Sequence, residues 1–143
     1  MRIVDIRERA VPLNSTLSNS SFDFSEMTTS VVAVMTDCVR DGQPVVGYAF
    51  NSTGRYACGA QMRDRFIPRI LRADPASLLD STGENLDPSK IVSRMMQREK
   101  AGGHSERSIA IGTIEVALWD AVAKVERKPL HRSEEHTSEL QSH

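Results

Sequence analysis

An α+β fold, with strands gathered in the first half of the chain and helices in the second, is predicted by three features of the sequence. Two runs rich in β-branched residues flank an Asp41-Gly42 pair, two Asp-Pro pairs stand ready to open helices, and a long apolar stripe at helical spacing lies near the end. Arg2 to Leu13 mixes β-branched with charged residues, and Thr29 to Thr36 reads Thr-Ser-Val-Val-Ala-Val-Met-Thr, types that suit a half-buried pleated surface. Both are expected to be strands. Val45 to Phe50 is the third, and Asp41-Gly42 before it suits a tight hairpin because both central residues of such a turn must tolerate positive φ. The second and third strands should therefore pair antiparallel. Asn14 to Met27 is crowded with Ser, Asn and Thr and is long for a connection without structure of its own, as functional loops often are.

From Cys58, the residues Met62, Phe66 and Ile70 recur four apart and make one helical stripe, which Pro68 should weaken or kink by removing a donor. Asp74-Pro75 and Asp87-Pro88 each pair an N-cap with a proline at the first helical position, so each predicts a helix start. The second should run through Ile91, Val92, Met95 and Met96. Gly102-Gly103 then breaks the chain, and Ser105 can cap the last helix. Ile114, Ala117, Leu118, Ala121, Val122 and Val125 give that helix one buried face. Asp120 and Lys124, four apart with the acid first, read as an exposed pair worth about 0.2 to 0.5 kcal/mol.

Composition narrows the functions available. The 143 residues carry a formal net charge of -1 with acids and bases interspersed, so there is no basic field to hold nucleic acid or an anionic membrane. No apolar run approaches the roughly 20 residues of a membrane span, and Met1-Arg2-Ile3-Val4-Asp5 lacks the apolar stretch of a signal peptide, so the protein is expected to be cytoplasmic. Cys38 and Cys58 are too few for a disulfide framework and lack zinc-site spacing, so both are expected as thiols. Asn14, Asn19 and Asn51 open glycosylation-type triplets that, in a cytoplasmic chain, are simply loop residues.

Little local chemistry is visible. Gly103-His104-Ser105-Glu106 resembles a nucleophile elbow, but Arg107 replaces its closing glycine and no strand precedes it. His104 and His131 have no companions at metal-ligand spacing, and no phosphate-binding glycine loop is present. Glu99 and Lys100, read locally, are a solvated charge pair at a helix C-terminus.

The segment Ala110-Ile-Gly-Thr-Ile-Glu-Val-Ala-Leu-Trp-Asp-Ala-Val-Ala-Lys124, with Pro129-Leu130, resembles the stretch that ends the N-terminal domain in the mandelate racemase and muconate lactonizing group of the enolase superfamily. Thr113 departs from that pattern, which has a smaller residue there. Met27 to Ser30, Gly47 to Ser52, Gly54 to Tyr56, Asn85 to Pro88 and Glu99 to His104 are similar to D-tartrate dehydratases in particular, so the resemblance covers Arg2 to Leu130.

The resemblance implies a three-stranded antiparallel meander followed by a helical bundle, a cap that sits over the C-terminal face of a modified TIM barrel. The barrel would supply a Lys and a His as acid and base and the acidic ligands of Mg²⁺, which stabilise the enediolate on the way from D-tartrate to oxaloacetate and water. No catalytic or metal-ligating residue of that set lies in this chain, which is expected to be inactive alone and to bind no cofactor itself. The cap contributes specificity. Asn19, Thr53 and Lys100 match the substrate-contacting positions, with an amide and a hydroxyl bonding substrate oxygens and an ammonium pairing with the far carboxylate. Thr53 stands where D-tartrate dehydratases have asparagine, which leaves a related acid sugar open as substrate. The implied partners are a small acid-sugar substrate, the missing barrel and, when complete, further copies in a homo-oligomer. An orphaned cap would expose the surface that meets the barrel and tend to aggregate.

Residues 1–130 are thus expected to form the cap. Arg132 to His143 has one aliphatic residue and no period, and is expected to be disordered. It also resembles the translation of a common sequencing-library adapter, so the natural sequence is expected to end near Leu130 or His131. The alternative is a free-standing, non-catalytic binding or interaction module with a capping-domain fold, distinguished by whether the coding sequence continues past Leu130 into a barrel.

Overall fold

The computed structural model describes residues 1–19, 21, 23–51, 56, 58–102 and 105–131. Strands β1 (Ile3–Pro12), β2 (Thr28–Arg40) and β3 (Gln43–Phe50) form one antiparallel sheet in the order β1-β2-β3, the expected meander. Asp41 and Gly42 turn the β2–β3 hairpin at φ of 53° and 77°, left-handed at both central positions as this turn requires. β2 outruns the expected Thr36 because Val39 and Arg40 pair with Pro44 and Gln43 beyond a shift in register. At that irregularity the Thr36 hydroxyl donates to the Val45 carbonyl at 2.8 Å and so replaces a lost ladder bond.

Alternation divides the sheet. Val32, Val34, Val45 and Ala49 are buried beneath the helices, whereas Val31, Ala33 and Met35 look the other way beside Tyr48 and Phe50, which are 55% and 76% exposed.

The helices begin with α1 (Cys58–Gln61), pass through a π-helical turn at Met62–Phe66, and continue as α2 (Ile67–Leu71). Pro68 does not break this run. The Ile67 N–H bonds to the Met62 carbonyl, and this widened turn accommodates the missing donor and the ring just downstream. Asp74-Pro75 opens only a 3-10 turn, Pro75–Leu78, because the chain doubles back to pair Leu79 with Leu86. Asp87-Pro88 does start a helix, α3 (Pro88–Met95), with the Asp87 carboxylate accepting the Lys90 N–H at 3.2 Å.

Helix α4 (Ser105–Glu126) closes the core. All six residues of its expected stripe are buried, and so are Trp119 and Ala123 outside that stripe. The backbone of α4 approaches β3 most closely at Gly47, where an added Cβ would lie 2.1 Å from the Ala117 carbonyl oxygen. Only a glycine fits there. Thr113, the departure from the family pattern, is buried with its hydroxyl donating to the Ile109 carbonyl at 2.7 Å, so the extra polar atom is satisfied.

Asp120 and Lys124 do pair, at 2.7 Å, but they are more than an exposed pair. The Asp120 carboxylate accepts the Tyr48 N–H at 2.8 Å and the Lys124 ammonium donates to the Val46 carbonyl at 2.9 Å, which occupies groups on the outer edge of β3.

Candidate functional site

Between the end of α3 and the start of α4 the chain makes a polar turn, and the residue at its centre departs from its local reading. Glu99 is not solvated. Its side chain is only 4% exposed, and its carboxylate binds Arg65, Arg69 at 2.9 Å and Arg107 at 3.2 Å. Arg65 and Arg69 come from the helical run before Leu71 and both lie over the Phe66 ring, at 5.0 and 5.4 Å from its centre. Arg69 also donates to the Met95 carbonyl at 2.6 Å, and Arg107 donates to the Gly102 carbonyl. Burial alone would raise the Glu99 carboxyl. The Arg69 hydrogen bond, the Arg65 charge and the Arg107 hydrogen bond outweigh it and hold the group below its ordinary range, so Glu99 is an anion at neutral pH.

Beside this cluster lies a cleft of about 660 Å³ lined by Gln61, Arg65, Arg98, Glu99, Lys100, Glu106 and Arg107. Cations outnumber carboxylates in that lining, so the cleft favours anions. Arg98 takes a left-handed φ of 63°, which aims the chain into the turn at a cost of about 1 kcal/mol. The Gln61 Oε1 atom is buried with no hydrogen-bond partner among the described residues. Glu106 accepts a hydrogen bond from the buried Cys58 thiol at 3.0 Å.

Of the three site residues the sequence singles out, Lys100 lines this cleft and is exposed. Asn19 does not line it. It sits exposed on the β1–β2 connection, with its amide oxygen accepting the Ser21 N–H at 2.8 Å, a local turn of the kind Asn favours. Thr53 lies outside the described residues, as do Gly103, His104 and residues 132–143. The Tyr56 hydroxyl donates to the Glu26 carbonyl at 3.3 Å, which ties Tyr56 to the end of the β1–β2 connection. Asn51 lies just past the end of β3, yet it is not an exposed loop residue. It is buried, and its amide oxygen accepts the Ser30 N–H at 2.8 Å, which fixes where the chain leaves β3.

Sequence reasoning passed over Arg65, Arg69 and Arg107. A signal for the first two existed, since like charges four apart in a helix repel unless they share an anion. For Arg107, beside Glu106 in the first turn of α4, no local pattern marks it out.

Among the described residues there is no group of three or more His, Cys, Asp and Glu side chains that could hold a metal ion. No described helix is long and apolar enough to cross a membrane. No family model matches the sequence. Among solved structures, the chain is similar to a mandelate racemase/muconate lactonizing enzyme-like protein from Rubrobacter xylanophilus, with a TM-score of 0.58 and 20% identity over 91% of this chain. The chain spans about a third, 32%, of that structure's length. The likeness establishes the fold, a three-stranded antiparallel sheet followed by helices as in the enolase-like N-terminal domain.

Proposed function

We propose that this chain is the substrate-reading cap of a longer, Mg²⁺-dependent acid-sugar dehydratase of the D-tartrate dehydratase kind, whose barrel performs the chemistry. The observation that carries this reading is the cleft beside Glu99, where Lys100 stands with Arg65, Arg98 and Arg107 around a space large enough for a four-carbon dicarboxylate. The similarity in fold to a mandelate racemase/muconate lactonizing enzyme-like protein supports it, because a protein of that length has room for a barrel after the cap. Metal ligation and proton transfer are assigned to that barrel, and no catalytic step to this chain. The cap's part is recognition: the Lys100 ammonium pairs with the far carboxylate in this cleft, while the Asn19 amide, from a loop outside the cleft lining, and the Thr53 hydroxyl bond substrate oxygens.

The test is a fusion of a homologous barrel after Leu130. Charge-assisted contacts of the Lys100 kind are worth about 1.5 to 3 kcal/mol, so Lys100→Met should lower kcat/KM about ten- to a hundred-fold. Lys128→Met, which removes a lysine outside the cleft, should leave it within a few-fold. Equal activity of the Lys100→Met fusion and its parent would remove the cap from substrate recognition. The chain alone should make no oxaloacetate from D-tartrate, and metal-dependent turnover by it would overturn the division of labour.

A further inference from the structure

We infer that Glu99 is a positioning residue: it gathers Arg65, Arg69 and Arg107 so that the turn bearing Lys100 is held in a form that takes a small dicarboxylate in preference to a monocarboxylate. The inference rests on the reading of Lys100 given above and deepens it.

The geometry shows how Lys100 is held. One guanidinium, that of Arg107, reaches both the Glu99 carboxylate and the Gly102 carbonyl, so the residues on either side of Lys100 are clamped by a single side chain that is itself only 5% exposed. Arg69 stands outside the cleft lining yet bonds Glu99 and the Met95 carbonyl, which fixes the end of α3 to the same carboxylate. The Glu99 N–H also bonds the Met96 carbonyl at 3.0 Å, so backbone and side chain of Glu99 together hold the left-handed turn at Arg98. The charge ratio points the same way. One carboxylate shared by three guanidiniums leaves positive charge over, and two of the three, Arg65 and Arg107, face the cleft together with Arg98 and Lys100. A ligand with two carboxylates satisfies that surplus better than a ligand with one.

The experiment titrates the full chain with tartrate as the dicarboxylate probe and glycerate as the monocarboxylate probe, read by the NMR shifts of the backbone amides of residues 98–102. The parent chain should prefer tartrate on the order of ten-fold, and Lys100→Met should erase the preference. Glu99→Gln gives the decisive sign. It deletes a negative charge beside the cleft, so if Glu99 acted by charge alone tartrate would bind more tightly. Positioning instead predicts binding weaker by about five- to ten-fold, with partial recovery in Glu99→Asp. Should Glu99→Gln fail to fold, judged by Trp119 fluorescence, Arg69→Lys replaces it, since it keeps the charge but loses the planar fork, and a similar weakening is expected. Unchanged or tighter tartrate binding in Glu99→Gln, or unchanged binding in Arg69→Lys, overturns the positioning role. The Lys100 reading then stands if Lys100→Met still erases the preference. Tartrate that shifts none of residues 98–102 in the parent chain overturns both.

Discussion

Helix α4 makes two contacts of opposite character. Along its length it brings Ala117 and Ala121 against β3 at Gly47 and buries Ile114, Leu118 and Val122 in the core, and that face is apolar and buried. Near its start Arg107 joins Arg65 and Arg69 around Glu99, and that contact is almost entirely ionic. The apolar interface gains about 1.5 to 3 kcal/mol for each large side chain it buries, in proportion to area and with little regard to direction. In the ionic one, attraction is largely offset by the cost of taking charges out of water, so little net stability remains while the geometry is tightly specified. The body of the helix therefore sets the stability of the fold, and its first turn sets the shape of the site.

Each half of that contrast can be broken separately. Leu118→Ala should have the largest effect, lowering the unfolding free energy by about 2 to 5 kcal/mol in urea titrations followed by Trp119, with equal loss at pH 7 and pH 4. A loss below about 1 kcal/mol, the size of surface effects, would mean that α4 does not carry the core. Gly47→Ala comes next, at about 1 to 3 kcal/mol, because the new methyl meets backbone that can yield only if helix and strand separate. A urea midpoint equal to the parent's would refute the close approach.

The ionic end should differ in kind. Since the Glu99 carboxyl is held below its ordinary range in the fold, its stabilisation is fully present at neutral pH and disappears as pH falls through that lowered value, below about pH 4. The parent should therefore lose stability in that acid window more steeply than Glu99→Gln, and parallel curves for the two proteins would show that the cluster contributes nothing. The smallest effect belongs to Asp120→Asn, which weakens the Lys124 pair and the Tyr48 contact at the surface and should cost about 1 kcal/mol or less.

The apolar half of the molecule was legible because its determinants are local and periodic. The α4 stripe, the Asp41-Gly42 hairpin and the Asp87-Pro88 helix start all arise from spacing or from backbone preferences within a few residues. Asp74-Pro75 shows the limit, since the same dipeptide opened only a 3-10 turn once the Leu79–Leu86 pairing claimed the residues beyond it. The candidate site was legible in part. Lys100 is singled out by resemblance, but the burial of Glu99 depends on three arginines brought in from 8 to 34 positions away, and no local pattern announces which cations will converge on an acid. Taken by itself, Glu99 is a solvated residue at a helix end, and only the packing of α2 and α4 around the turn makes it otherwise.

The two side chains that α4 extends to β3 bear on how this molecule behaves in company. β3 is a border of the sheet, and a border with bare amides and carbonyls invites a strand from a neighbouring molecule to zip alongside. With the Tyr48 amide committed to Asp120 and the Val46 carbonyl to Lys124, an incoming strand would have to displace a carboxylate and an ammonium before its first rung could form. Pro44, near the start of the same strand, has no amide to offer. The helix that supplies the core thus also guards the sheet's open flank, so that Tyr48 and Phe50 can remain exposed beside it without the border acting as a template for polymerisation.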